Sequence, residues 1–174
     1  MKNIFLKFGL IYGAFSIISV MMYYHGFIGM GLNSVVGILL LILLLWLAGR
    51  EFKSINEGYA TFGELFKLYF LIIFIGLFMS MLFTLIYHSV ISEETKTEIF
   101  ERYVESQKAM YRWMISDEDM LLSIEEGIDD EMSPEKLFGF QNTLLGMFGS
   151  LFYVIIFALL AAVIFKKVPK QDPL

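Results

Sequence analysis

Three groups of residues in this sequence are of types that could do chemistry. The first is TFGELFKLYF, residues 61–70, where a glutamate and a lysine stand at the mouth of a long apolar run. Thr61 and Glu64 match a capping box, in which the threonine hydroxyl accepts from the Glu64 amide and the Glu64 carboxylate accepts from the Thr61 amide. Negative charge also suits the first turn of a helix. Lys67, one turn on, can carry its ammonium to a polar interface and meet anionic lipid. Both charges are thereby accounted for as the way a helix begins. The sharper alternative is a contact site with Arg50 and Glu51 as neighbours. The second group is His25 and His88, near corresponding ends of two apolar runs. A shared metal would need a further ligand, such as Glu93 or Glu94, and polar capping of helix ends is the plainer expectation. The third is DEDMLLSIEEGIDDEM, residues 117–132. A calcium loop needs oxygen ligands at positions 1, 3 and 5 and Gly at 6. Here Asp117 and Asp119 are followed by Leu121 and Leu122, so the pattern fails. The stretch reads as a solvated acidic surface, with weak, unselective cation binding as the alternative. No cofactor, metal or nucleic-acid partner is expected.

The elements that must position these residues are apolar. Of the 174 residues 57% are hydrophobic, and the mean hydropathy is +0.68. The excess falls in four blocks, about 4–24, 30–49, 62–90 and 140–165. Each is about 20 residues or longer, enough for a helix to cross about 30 Å of hydrocarbon. Backbone groups in lipid must be satisfied within the segment, so the blocks should be helices; the alternation of a membrane barrel is absent. The first block resembles a signal peptide, but its apolar core exceeds the usual h-region of about 7–15 residues, and it is expected to be retained as a span. Cysteine is absent, which removes disulfides, thiolate metal sites and cysteine nucleophiles.

Charge orients the helices. Lys and Arg near span ends mark the cytoplasmic side. Lys2 and Lys7 precede or open the first block, Arg50, Lys53 and Lys67 lie between the second and third, and Lys166, Lys167 and Lys170 follow the fourth. The turn at 25–31 has no Lys or Arg. Residues 91–142 carry 14 acids and 5 bases, a net of −9, while the rest of the chain has 8 bases and 4 acids. The expectation is an all-α, integral membrane four-helix bundle in one domain, 1–174. Both termini should be cytoplasmic, in the bacterial cytoplasmic membrane, with an acidic extracytoplasmic helical cap at about 91–139. In the cap, Ile99, Tyr103, Met110 and Met114 fall near one helical face. Ser116 with Asp119 suggests a capping box, Gly127 a helix stop, and Ser133-Pro134 a helix start. A last helix starting at Pro134 would run about 32 residues, or about 48 Å.

The span interiors hold no charge. That argues against a proton-coupled transporter and, with no paired acids, against an intramembrane hydrolase. Their hydroxyls include Tyr12, Ser16 and Ser19 in the first block, Ser80 and Thr84 in the third, and Ser150 and Tyr153 in the fourth. Small residues recur at helical spacing, with Gly9 and Gly13, Gly76 and Ser80, Gly146 and Ser150, and Ala158 and Ala162 as candidate packing positions. They serve either packing within one protomer or a homo-oligomer interface.

The stretch GYATFGELFKLYFLI, 58–72, resembles the Phe-Gly-Glu-Ala-Phe-Lys motif of the bacterial membrane protein family of domain of unknown function 4199. Phe62, Gly63, Glu64, Phe66 and Lys67 are the matching positions, with Leu65 in place of Ala. The layout is similar too: a helical pair, this motif opening a third helix, a polar helical segment and a last helix ending in lysines. The family's common Pro-Asp after the third helix is absent from HSVISEET. The resemblance implies a class and no mechanism. The expected function is a non-enzymatic accessory or scaffold protein, in contact with membrane lipid and with a membrane-protein partner or a second copy. The alternative is a small oligomeric transporter or channel, which the hydroxyls of Ser80, Thr84, Ser150 and Tyr153 lining one cavity would favour.

Overall fold

The structure, a computed structural model, describes residues 2–167. Lys170 lies outside them. Among the described residues seven helices run in order: α1 Lys2–Tyr24, α2 Met30–Ile55, α3 Phe62–Val90, α4 Glu93–Met114, α5 Glu118–Glu131, α6 Pro134–Phe138 and α7 Phe140–Phe165. Four of them, α1, α2, α3 and α7, are long and apolar enough to cross a membrane.

α3 is the centre of the bundle. At its start Thr61 Oγ1 accepts from the Glu64 amide at 3.4 Å, and the Glu64 carboxylate accepts from the Thr61 amide at 2.9 Å. α1 lies along α3 in the same direction, since Gly9 faces Ile75 and Gly13 faces Met79. α7 runs the opposite way: Tyr69 near the start of α3 meets Phe165 at the end of α7, and farther along Ser80 and Thr84 share a cavity with Ser150 and Thr143, while His88 meets Phe138 of α6 just before α7 begins. α2 returns antiparallel along α1, with Ser19 donating to Asn33 near one end and Lys7 paired with Glu51 at the other. Bare glycine surface is what permits the α1–α3 approach. A Cβ on Gly9 would stand 3.0 Å from Ile75 Cβ, and one on Gly76 would overlap the Tyr12 ring. Beside them a dry core forms from Leu65, Leu68 and Ile72 of α3, Leu44, Leu45 and Ala48 of α2, and Val154, Ala158 and Ala162 of α7.

The two ends of the bundle differ in charge. At one end, Lys7 pairs with Glu51 at 2.6 Å, Lys53 donates to the Phe165 carbonyl, and Ala60 and Lys167 exchange backbone hydrogen bonds. At the other, α4 crosses the end of α1: Arg102 donates to the Tyr24 carbonyl at 3.0 Å and Ile99 is buried. α5 folds back on α4 through Lys108–Asp129 and Arg112–Glu125, both at 2.7 Å.

Several local expectations are corrected. The second apolar helix continues six residues beyond 49, to Ile55, because the polar stretch after the block is also a good helix former. It ends where Glu57 and Gly58 take positive φ, 52° and 87°. The last helix is not continuous from Pro134. α6 stops at Phe138, and Gly139 takes an extended conformation (φ −64°, ψ 138°) and becomes the N-cap of α7. A Cβ there would lie 2.7 Å from the Glu135 carbonyl oxygen, so only glycine fits the tight junction. In the cap the N-cap of α5 is Asp117, whose carboxylate accepts from the Met120 amide at 2.9 Å, rather than Ser116. Gly127 does not stop α5, which runs on to Glu131 because buried Ile128 and paired Asp129 hold its last turn to α4.

Candidate functional site

α2 and α7 diverge as they leave the basic end. There α2 buries Leu41, Leu44, Leu45 and Ala48. Farther on, Leu32, Val35, Val36 and Leu39 are exposed, as are Leu145, Phe148 and Phe152 of α7. The parting opens a cleft of about 280 Å³ floored by Tyr12, Ile73 and Leu77, with Ser34 and Gly37 on one wall and Ser150 and Tyr153 on the other. A second cavity, about 150 Å³, adjoins it between α3 and α7 and shares Leu77 and Ser150. Its polar lining is Ser80, Thr84, Thr143 and Ser150. Ser80, Thr84 and Ser150 thus face one cavity, and Tyr153 faces its neighbour. Toward the basic end the cavities stop at Leu65, Leu68 and Ile72, all at 0% exposure.

The hydroxyls differ in how they are satisfied. Ser150 donates to the Gly146 carbonyl at 2.8 Å and Thr143 to the Gly139 carbonyl at 3.2 Å. Such bonds to the preceding turn satisfy the proton and leave oxygen lone pairs turned outward. Among the described residues Ser80 and Thr84 have no hydrogen-bond partner. An unsatisfied hydroxyl away from water costs about 1–3 kcal/mol. At about 30 Å³ of liquid volume per water, the smaller cavity has room for a few water molecules or one small polar group.

The acidic end holds the second cluster. His88 is 7% exposed; its Nε2 lies 2.8 Å from Tyr24 Oη, its ring stacks on Tyr24, and Phe138 meets it edge-on at 4.7 Å. His25 Nε2 lies 3.4 Å from Tyr87 Oη. The two histidines therefore meet only through the stacked Tyr24–Tyr87 pair. Glu93 pairs with Lys96, and among the described residues no three His, Asp or Glu side chains converge as a metal site. Farther out, the Arg112 guanidinium holds the Glu125 carboxyl below the usual carboxylate range, mainly through the hydrogen bond between them. At the turn between α4 and α5, Trp113 is 87% exposed, and Met114 and Met120 are exposed beside it.

The motif residues lie at the basic end. Glu64 is occupied by the capping box, Gly63 has open space around it and Lys67 is exposed. Phe62 and Phe66 start a ladder that continues through Phe70, Phe74 and Phe78, with ring centroids 5.9–6.3 Å apart. Of the small residues, Gly9, Gly13 and Gly76 lie in the α1–α3 contact, Ser80 and Ser150 line the cavity, and Gly146 has nothing within 4 Å of a Cβ position. Sequence reasoning missed the phenylalanine ladder, although its four-residue spacing was legible. It also missed the Arg102 brace, Thr143, and Gly49, which accommodates the buried Tyr69 hydroxyl.

A family model described as protein of unknown function (DUF4199) matches residues 7–167, and the chain belongs to that family. No curated protein and no solved structure matches it.

Proposed function

We propose that this family member is a non-enzymatic accessory or scaffold protein of the bacterial cytoplasmic membrane, binding a protein partner through its acidic cap. The four long apolar helices suit a multi-pass protein. The bias of Lys7, Arg50, Lys53, Lys67 and Lys167 toward one end of the bundle favours a cytoplasmic basic end, with both termini inside and α4 to α6 outside.

The observation that carries the reading is the α4–α5 hairpin. Ion pairs hold it folded, yet Trp113, Met114 and Met120 stand exposed at its tip among Asp117, Glu118 and Asp119. Exposed apolar groups with a polar rim mark interaction surfaces, and Trp is enriched among binding hot spots. The acidic rim suits a partner with basic groups around an apolar patch and disfavours an anionic lipid surface. The other reactive side chains have structural employment: Glu64 caps α3, and His88 is packed against Tyr24 and Phe138. A photo-crosslinking residue at position 113 in native membranes tests the reading. A crosslink to one protein species, lost when Met114→Ser and Met120→Ser are added, is expected. Crosslinks to lipid alone would overturn it.

The hydroxyl-lined cavities favour a second reading, a small oligomeric transporter or channel. In one protomer the dry core of Leu65, Leu68 and Ile72 blocks any path, so conduction would need a second copy or a repacking of α2 against α7.

A further inference from the structure

We infer that the basic end carries a site for one anionic phospholipid, between α1 and α2. The inference rests on the membrane reading above and adds a ligand class to it. A cavity of about 480 Å³ lies there, lined by Lys7, Phe8, Leu47, Arg50, Glu51 and Ser54. Its charge is unbalanced. Lys7 and Glu51 neutralise each other at 2.6 Å, whereas among the described residues Arg50 has no carboxylate partner. The guanidinium instead lies over the ring of Trp46, 5.7 Å from its centroid. A planar cation held on an aromatic face keeps its N–H edge free, and that edge matches phosphate geometry. One phosphodiester supplies the single negative charge that the site lacks.

The apolar side of the site matches the remainder of a lipid. From Arg50 toward the bundle centre, the outer face of α2 presents Trp46, Leu43, Ile42 and Leu39, all exposed. An acyl chain can lie along that face while its phosphate sits at Arg50. A free phosphate would use only the polar end and leave the α2 face uncovered, so the combination selects a lipid. The position also suits it: α2 has 26 residues, about 39 Å at 1.5 Å each, so its last turns pass beyond the hydrocarbon, where headgroups are.

The test uses Trp46 as the reporter. The chain has two tryptophans, so Trp113→Phe leaves Trp46 alone. The full chain is reconstituted into phosphatidylcholine vesicles with a minor fraction of phosphatidylglycerol brominated near the top of its acyl chains. Quenching of Trp46 is read against the same vesicles without bromine. The expected result is quenching well above that set by the mole fraction. Arg50→Gln should lower the relative affinity roughly fivefold, the loss of one surface cation, and Lys7→Gln should lower it less, because Glu51 already offsets Lys7. Because Arg50→Gln also alters the surroundings of Trp46, each variant is compared with its own unbrominated control. Helical content by circular dichroism checks folding, and Arg50→Lys, which keeps charge without the planar fork, should fall between wild type and Gln. Quenching equal to the mole fraction in wild type overturns the site. Absence of quenching even in fully brominated phosphatidylcholine overturns the membrane reading itself, and the two failures are thereby distinct. Equal quenching by minor brominated phosphatidylcholine would show no preference for anionic lipid and would also overturn the proposal.

Discussion

Replacing Gly76 by alanine should loosen the bundle more than any other single glycine-to-alanine change in α1, α3 or α7. A Cβ at Gly76 overlaps the Tyr12 ring, whose Cγ would lie 3.0 Å away and whose Cε1 would lie 2.9 Å away. Tyr12 cannot yield by moving a flexible tip, since the blocked atoms are in its ring. Either the ring leaves the floor of the cleft or α1 and α3 separate. Overpacking of this kind costs about 1–3 kcal/mol, against a helix-propensity gain of about 1 kcal/mol for Gly→Ala. The net is a loss of up to about 2 kcal/mol. The neighbouring glycines set the scale. At Gly9 the nearest atom is Ile75 Cβ at 3.0 Å, so a few tenths of an ångström suffice. At Gly13 the nearest atom is the sulfur of flexible Met79, and at Gly146 the space is open. The order of stability in detergent, read by reversible unfolding, should be Gly146→Ala highest, then Gly13→Ala and Gly9→Ala, then Gly76→Ala. Tyr12→Ala should absorb much of the Gly76→Ala penalty, giving a non-additive double-mutant cycle. If Gly76→Ala were as stable as wild type, or if its effect vanished on dilution to monomer, the close α1–α3 contact within one chain would be the wrong account of these glycines.

Other consequences are as direct. Thr61→Ala removes the acceptor for the Glu64 amide and should cost about 0.5–2 kcal/mol, while Glu64→Gln keeps the box and should be mild; loss of a cellular phenotype in Glu64→Gln at normal protein level would mean that its charge is functional. Reporters active only outside the cytoplasm should work when fused at Gly127 and fail at Leu174, and the reverse pattern would invert the orientation. The Glu125 carboxyl is held below its ordinary value by Arg112, so its contribution is present above the unfolded carboxylate pKa and is lost as pH falls through the folded one. Protease sensitivity of the α4–α5 hairpin should therefore rise as the medium is acidified below about pH 4, and Glu125→Gln should show a higher sensitivity already at neutral pH and a smaller rise on acidification, the remainder coming from the Lys108–Asp129 and Arg112–Glu105 pairs.

Helix existence was legible because it depends on local content. The four apolar blocks, the Thr61–Glu64 box and the Ser133-Pro134 start are short-range patterns that the backbone obeys on its own terms. Boundaries set by tertiary contact were not legible. Gly127 has the composition of a stop, but Ile128 and Asp129 gain more from contact with α4 than the glycine loses in helix propensity. Gly139 looked like the interior of a long helix, yet its approach to the Glu135 carbonyl divides α6 from α7. The hydroxyls were named from sequence, but their grouping depends on how far α2 and α7 part, which no single span encodes.

That parting has a consequence for where function can reside. The half of the bundle near Lys7, Lys53 and Lys167 is closed by apolar side chains around the buried Tyr69, and small Ala48, Ala158 and Ala162 let the backbones approach there. The other half opens where Gly37, on the wall of the cleft, leaves no side chain to bridge the gap. Filling the gap separates the two readings of the cleft. Gly37→Leu puts an apolar group on its wall without touching Ser80 or Thr84. If the cleft only faces lipid, the added side chain contacts acyl chains and leaves stability and phenotype unchanged. If the cleft receives a ligand or a second copy, Gly37→Leu should abolish that binding while the α1–α3 contact, read by the Gly76 series, stays intact. Loss of the fold itself would contradict the open space found at Gly37, and with it the divergence of α2 from α7.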